Sequence, residues 1–442
     1  MTTPAASDSE FTPEDLRNIW RILSPDERLE GFRLLLHDDA EEFFLGLGSA
    51  DLASLLLELP KNERRAWMRL LPPDDAADLI QQVPEAEREG LLGLLDDATR
   101  HEVTALLAYA QDAAGGLMNP RYARLRPEMT VDEAFGYLRR QARTNLELLS
   151  YLYAIDADQR LLGVVSFREL FAARPERTVR EVMRRDLVTV RDDQDQEEVS
   201  QILAQHDLIA LPVVDRDGRM KGIVTVDDIV DVVQAEATED IQKLGGMEAM
   251  EEPYLEIAFG RMLRRRGGWL SVLFVGELLT ASAMAYFEDE LMRAIVLSLF
   301  VPLIISSGGN SGSQASTLVV RAMSLDEVRL GDWWRVVQRE IGAGLALGAL
   351  LGALGFIRVV LWQVIWPDYG EHALLLGATV GISLLGVVMF GTITGAVLPF
   401  LFRRLGFDPA SASAPFVATL VDVSGLLIYF GTASLILGGT LL

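Results

Sequence analysis

Five apolar runs crowd the last 190 positions of this 442-residue chain, at approximately 268–287, 291–320, 341–366, 372–402 and 414–440. Runs of about 20 apolar residues are long enough to cross a bilayer as helices. The buried core of a water-soluble domain does not need five of them so close together, so five membrane spans are expected. Pro302 and Pro399 are expected to break the second and fourth, which are long. Arginines set the orientation. "RMLRRR" brings Arg261, Arg264, Arg265 and Arg266 ahead of the first span. The second connection carries Arg321, Arg329, Arg335 and Arg339, and the fourth carries Arg403 and Arg404. The alternate connections, "FEDE" and "PDYGEH", hold neither Lys nor Arg. The large N-terminal half is therefore expected in the cytoplasm of a multi-pass protein of the cell (inner) membrane, with the C-terminus outside.

Charge divides the chain at about the same place. Residues 1–252 hold 51 of the 64 acids and 28 of the 40 bases, a net of −23, while residues 253–442 are close to neutral at −1. An acidic half repels nucleic acid and anionic lipid and attracts cations, so no nucleic-acid partner is expected. There is no cysteine, which excludes disulfides and thiolate metal sites. The N-terminus lacks a basic start followed by an apolar core, so no cleaved signal peptide is expected.

The first hundred residues repeat. Leu23, Leu35, Leu47, Leu59, Leu71, Val83, Leu95 and Leu107 recur every twelve positions, and Pro60, Pro72 and Pro84 directly follow three of them. Twelve residues make one short helix and a tight turn, so a helical, solenoid-like domain is expected over 1–117.

Residues 118–232 contain two copies of one unit. "LMNPRYARLRPEMTVDEAFGYL" matches "VMRRDLVTVRDDQDQEEVSQIL" 65 positions on, and "GVVSFREL" matches "GIVTVDDI" 59 positions on. Each copy reads as strand, helix, strand, turn, strand, helix; "IALPVVDRDGRMKGIVTVDDIV" shows two apolar strands around a polar turn. The pair resembles CBS domains, of the cystathionine-β-synthase type. That resemblance implies a possible ATP-type nucleotide site with Thr225 at phosphate and Asp228 at ribose, Ser166 and Glu169 being their counterparts in the first copy. Packing and dimerisation alone is the other reading.

A helix is expected to follow as far as Leu244, stopped by Gly245 and Gly246, within an acidic connector over 233–266. Asp228, Asp231, Glu236, Glu239 and Asp240 crowd it, with Lys243 as its one base. "AEATEDIQKLGG" (235–246), "GGNSGSQASTLVVRA" (308–322), "LPFLFRRLGFDPA" (398–410) and "PFVATLVDVSGLLIYF" (415–430) occur in this order. With the layout they sit in, they resemble the MgtE family of magnesium channels and transporters over essentially the whole chain. The expected fold is multidomain: an all-α superhelical N domain, an α/β CBS pair, and an all-α transmembrane domain of five helices over 267–442.

Asp422 is the only charged side chain in the last span. A carboxylate at bilayer depth costs a few kcal/mol or more unless something compensates it. The resemblance implies a homodimer, joined through its transmembrane and CBS domains, with a pore on the shared axis and Asp422 at the ion. Two facing carboxylates repel, and a divalent cation between them offsets repulsion and desolvation together. Mg²⁺ keeps much of its water, so few carboxylates suit it. A helix–helix hydrogen bond is the bland reading of Asp422. Asn310 and Ser311, in a glycine-rich break of the second span, line the pore or serve close packing. Gly425 and the breaks near Pro302 and Pro415 are expected to free carbonyls for the pore. Glu277 faces the pore or pairs with an arginine such as Arg358. Ala414 departs from the asparagine often found there in the family, which leaves fine selectivity open.

The resemblance also implies that cytosolic Mg²⁺ closes the pore through Asp231, Glu236, Glu239 and Asp240, with Asp207 a weaker member. Transport of another divalent ion, such as Co²⁺ or Mn²⁺, is a rival reading that the scarcity of soft ligands disfavours. A non-conducting membrane-anchored nucleotide or metal sensor is another. No nucleophile–base constellation and no phosphate-cradling loop suggests an enzyme.

Overall fold

The computed structural model describes residues 11–141, 149–250, 254–255, 257–365 and 369–441. They form two compact units, one ending at Val233 and the other beginning at Gln234. Part of the acidic connector, at 251–253 and 256, and part of the "PDYGEH" connection, at 366–368, lie outside the described residues.

The twelve-residue period of the first unit is a period of helix starts. Helices begin at Pro13, Pro25, His37, Ser49, Pro73, Glu85 and Asp97. Thr12 and Ser24 close reciprocal caps with Asp15 and Glu27, and proline occupies the first turn after each. One helix, Arg64–Met68, starts late because a turn at Pro60–Glu63 precedes it. Of the periodic residues, Leu35, Leu59, Leu71, Val83 and Leu95 are buried, and Leu23, Leu47 and Leu107 pack against the same core.

Both halves of the internal repeat build the same three-stranded sheet. In the first, β1 (Arg124–Leu125) runs parallel to β2 (Tyr151–Ile155), which is antiparallel to β3 (Leu161–Ser166). In the second, β4 (Val190–Arg191), β5 (Ala210–Val214) and β6 (Met220–Thr225) repeat that order, with an irregularity at the equivalent place in β5. The hairpin turns are also equivalent. Asp156 Oδ1 accepts from the backbone N–H groups of Asp158 and Arg160, and Asp215 Oδ1 from those of Asp217 and Arg219. The left-handed turn position belongs to Gly218 (φ 76°) in the second copy and to Gln159 (φ 64°) in the first. The second copy shares a core with the helical repeat through Val190, Val199, Leu211 and Val224, whereas the first copy has its own. Helix Val226–Leu244 follows β6 and ends at Gly246, whose φ of 72° suits a helix stop.

Among the described residues, five helices of the second unit are long and apolar enough to cross a membrane: Phe259–Tyr286, Ile295–Ser324, Leu330–Ile365, Ala373–Arg404 and Ala414–Leu437. Their bounds correct three expectations. The second span begins at Ile295, so Arg293 falls in the connection before it, beside Glu288, Asp289 and Glu290. Pro302 stands where the second span changes from the 3₁₀ turns Ile295–Phe300 to the α-helix Val301–Ser324, so an interruption falls there as expected, but the helix then runs unbroken through the glycine-rich stretch. Pro399 lies inside the fourth helix, which continues to Arg404 because burial of the proline among neighbours holds the chain through the lost hydrogen bond.

The glycines of the second span serve contact, not breakage. A Cβ on Gly391 would sit 2.3 Å from the Gly308 carbonyl oxygen, and one on Gly395 only 2.0 Å from that of Gly312. Small residues four apart on both helices thus let two backbones touch, the arrangement that binds helices where no hydrophobic effect separates protein from lipid.

Candidate functional site

The fifth span starts at a cap: the Ser413 hydroxyl accepts from the Phe416 N–H, and Pro415 follows in the first turn. Thr419 and Asp422 then share one helix face, three residues apart. The first span brings Glu277 to that face, where the Thr419 hydroxyl, shared with the Pro415 carbonyl at 3.1 Å, lies 3.4 Å from Glu277 Oε1. Gly276 permits the approach, since a Cβ there would lie 2.7 Å from Thr419 Cγ2. The Glu277 carboxyl is close enough to the Asp422 carboxyl for the two to interact electrostatically. Arg358 is engaged elsewhere, its guanidinium 4.0 Å from the centre of the Trp362 ring. The membrane unit therefore places two carboxylates and one hydroxyl together on apolar helices. Among the described residues no group of three or more acids or histidines gathers as a metal cage. Two carboxylates with water suit a cation that dehydrates reluctantly.

The other residues singled out in the membrane part separate. Asn310 is exposed, its amide donating to Ser306 Oγ at 3.4 Å. Ser311 is buried on another side of the helix, its hydroxyl 2.7 Å from Thr392 Oγ1. The Ala414 carbonyl accepts from the Ser313 hydroxyl at 3.2 Å. Gly425 is buried mid-helix, where a Cβ would meet Val387 Cγ1 at 3.2 Å, so its place in the helix frees no carbonyl and its smallness serves packing.

The connector acids are not equivalent either. Lys243 bonds both Glu239 and Asp408, an acid just before the fifth span. Burial works against the Lys243 charge, yet these two bonds hold its pKa above the ordinary lysine value. Asp240 accepts from the Ser324 hydroxyl at 3.0 Å; burial chiefly, with the negative charge of Asp408, pushes its pKa up. Glu236 is half-buried on the same helix, while Asp231 and Asp207 are exposed, Asp207 with a left-handed φ of 50°. The sequence reading missed Asp408, although the quoted "LGFDPA" contains it.

A further acidic group was missed in the first unit. Asp74, Asp75 and Asp78 occupy helix Pro73–Gln82, and Asp228 stands near them electrostatically. Burial, then the charges of Asp75 and Asp228, raises Asp78 to a pKa of about 7. Burial also raises Asp228 to about 7, against the bond from the Thr225 hydroxyl at 2.7 Å. Asp74 is buried and accepts from the Asn119 amide at 3.1 Å. The run "PDDAAD" carries acids one turn apart on one helix, a signal that the leucine period hid.

Thr225 and Asp228 thus bond each other beside acids, and neither lines a cleft of about 180 Å³ whose walls include Ser166, Glu169, Arg184, Asp186 and His206. Arg184 pairs there with Glu169 Oε1 at 2.7 Å.

A bundle of helices apolar enough to cross a membrane, with two neighbouring carboxyl groups and joined in one chain to a helical repeat and a doubled α/β module, defines the class: an ion-transporting membrane protein with appended domains. The match is to known families throughout. An MgtE divalent cation transporter profile matches residues 301–432, an MgtE intracellular N domain profile matches 11–112, and CBS domain profiles match 114–176 and 179–235. The chain is 42% identical to the magnesium transporter MgtE of Thermus thermophilus, over 97% of this chain and 94% of that one. It is 32% identical to the magnesium transporter MgtE of Bacillus subtilis, over 96% and 92%. A crystal structure of the cytosolic domain of the Mg²⁺ channel MgtE in complex with ATP is similar over 50% of this chain and 90% of that one, at 42% identity and a TM-score of 0.47. The chain belongs to the MgtE family.

Proposed function

We propose that this chain conducts Mg²⁺ across the cell membrane as a homodimer, and that its cytosolic acids sense Mg²⁺ and close the pore. The observation that carries the reading is the meeting of Asp422, Glu277 and Thr419 on otherwise apolar spans. In a homodimer each copy contributes an Asp422 near the shared axis, and a partly hydrated divalent ion compensates both. Glu277 behind Asp422 adds negative potential at the ion's position and fixes Thr419. Asn310, on an exposed helix face, is assigned to the pore, Ser311 and Gly425 to packing, and Ala414 to the cytosolic end of the path.

Exposed apolar faces support two copies. On the first CBS copy, Phe135, Phe167 and Phe171 cluster, with Phe171 74% exposed. In the membrane unit, only Leu273 and Ala283 of the first span are buried within one chain. The arginine-bearing ends of the spans face the cytoplasm and the C-terminus lies outside.

For gating, Glu236, Glu239, Asp240 and Asp408 are assigned to one set of regulatory acids and Asp74, Asp75, Asp78 and Asp228 to another, neither set gathered as a ready-made cage, with Asp231 and Asp207 at exposed positions. The energetics call for several ions. Moving a closed fraction from one to ninety-nine per cent needs about 5.5 kcal/mol of differential binding. One site at tenfold its dissociation constant contributes only about 1.4 kcal/mol, so roughly four are required. Lys243 holds Glu239 and Asp408 in the absence of an ion and is displaced by Mg²⁺. ATP is assigned to the Ser166–Glu169 cleft rather than to Thr225 and Asp228, and its entry requires the Arg184–Glu169 pair to part.

Mg²⁺ flux into liposomes holding the purified protein tests the reading. Asp422→Ala is expected to abolish flux with the fold intact. Unchanged flux sinks the pore assignment in favour of a non-conducting sensor. Competition by Co²⁺ or Mn²⁺ at equal concentration distinguishes a transporter of another divalent ion.

A further inference from the structure

A cavity of about 510 Å³ opens at the arginine-bearing end of the third and fourth spans, the end read above as cytoplasmic, away from the acids described above. Trp333 and Val337 of the third span and Val397, Phe400 and Leu401 of the fourth make apolar walls, and Arg404 is the one charged residue among the lining. Trp333 and Trp334 are each half exposed at the first turn of the third helix, the place where indole rings mark the boundary between headgroups and acyl chains. The nearby arginines differ in their partners. Arg329 is paired with Asp326 and Arg335 with Asp332, whereas Arg404 is exposed and makes no hydrogen bond or ion pair with the described residues.

An apolar slot at headgroup depth with an open guanidinium at its rim is complementary to one kind of molecule. The occupant must bring an acyl segment for the walls and an anion for Arg404. A free phosphate leaves the walls uncovered, and a zwitterionic lipid brings its own cation to the arginine. This end of the bundle also carries Arg321, Arg339 and Arg403, alongside the acids Asp326, Glu327, Asp332, Glu340 and Asp408, two of which are taken up by Arg329 and Arg335. We propose that the slot is a binding site for one anionic phospholipid of the cytoplasmic leaflet, with its phosphate on Arg404 and an acyl chain against Trp333, Val397 and Phe400. Such a lipid braces the cytoplasmic ends of the two helices together. The proposal is independent of which ion the protein carries.

Native mass spectrometry of the full-length protein, equilibrated with phosphatidylglycerol and phosphatidylcholine, tests it. The wild type is expected to retain one phosphatidylglycerol per chain more tightly than any phosphatidylcholine. Arg404→Gln should weaken phosphatidylglycerol about fivefold and leave phosphatidylcholine unchanged. Arg404→Lys should retain the preference, and Val397→Trp, which fills the slot, should lose the tightly held lipid. Circular dichroism and elution volume identify any variant that has failed to fold. Equal retention of the two lipids by the wild type overturns the proposal, as does wild-type phosphatidylglycerol binding by Arg404→Gln. Displacement of the lipid by millimolar inorganic phosphate also overturns it, because the slot is then an anion site without a use for its walls.

Discussion

Carboxylates are crowded in two regions of this protein, and the surroundings give them different work. Asp422 and Glu277 approach each other on the apolar stretches of two spans, where the compensation must come from an ion, a hydroxyl or each other. Asp78 and Asp228 sit in the acidic first unit beside polar groups, with Thr225 bonding one of them and both poised at a pKa of about 7. The first arrangement suits a place an ion passes through. The second suits a group that is stable when neutralised and strained when charged, which is what a sensor requires. On the proposed reading, the same residue type conducts in one place and reports in the other.

The largest expected effect separates the two regions outright. Asp422→Ala should reduce Mg²⁺ flux by at least about a hundredfold, the equivalent of roughly 2.7 kcal/mol, while leaving Mg²⁺-dependent thermal stabilisation of the cytosolic unit in place. Glu277→Gln should cost about tenfold in flux, because it thins the potential at the ion without removing the primary carboxylate. If both variants change stabilisation and not flux, the division of labour is reversed.

A pH experiment sharpens the cytosolic side. Because Asp78 and Asp228 have raised pKa values, the folded state binds more protons than the unfolded chain between about pH 4 and 7. Their contribution to stability is fully present below the unfolded value and is lost as pH rises through about 7. Thermal unfolding of the Mg²⁺-free full-length protein should thus show the cytosolic transition falling between about pH 4 and 7 and levelling off above that. Mg²⁺ should restore it more at pH 8 than at pH 5.5, and Asp78→Asn should flatten the profile. A transition that is insensitive to pH in the wild type removes this group from the sensor.

Smaller effects belong to the group around Lys243. Neutralising Glu239 and Asp240 together should move the inhibitory Mg²⁺ concentration upward by about tenfold, the worth of one weak site; unchanged inhibition would falsify their role in gating. Lys243→Gln should move it a few-fold the other way, since the acids it held would then be open to the cation. Current recordings across a range of cytosolic Mg²⁺ check both.

Much of the architecture was legible along the chain. The apolar runs, the leucine period, the two CBS copies and the stop at Gly246 are local patterns, and each reports on its own few residues. The site was legible only in part. Asp422 announced itself as a lone charge in oil, but nothing local pairs it with Glu277, 145 positions earlier in the sequence. The roles of Asn310 and Ser311 stayed open because adjacent residues on a helix face different neighbours, and only packing against Thr392 assigns Ser311 to a contact. Glycines that read as a break proved to be a seam, and the buried Pro399 did not end its helix.

What the sequence by itself determined is the set of elements: where helices start, which are apolar enough for a bilayer, and which half carries the charge. Those follow from composition, caps and periodicity, which act over a few residues. The tertiary structure alone decided which acids become partners: Glu277 with Asp422, Asp408 with Lys243, Asp78 with Asp228. The reason is physical. The energy of a charge depends on what lies within a few ångströms of it in space, and chain order does not specify that distance until the helices have packed.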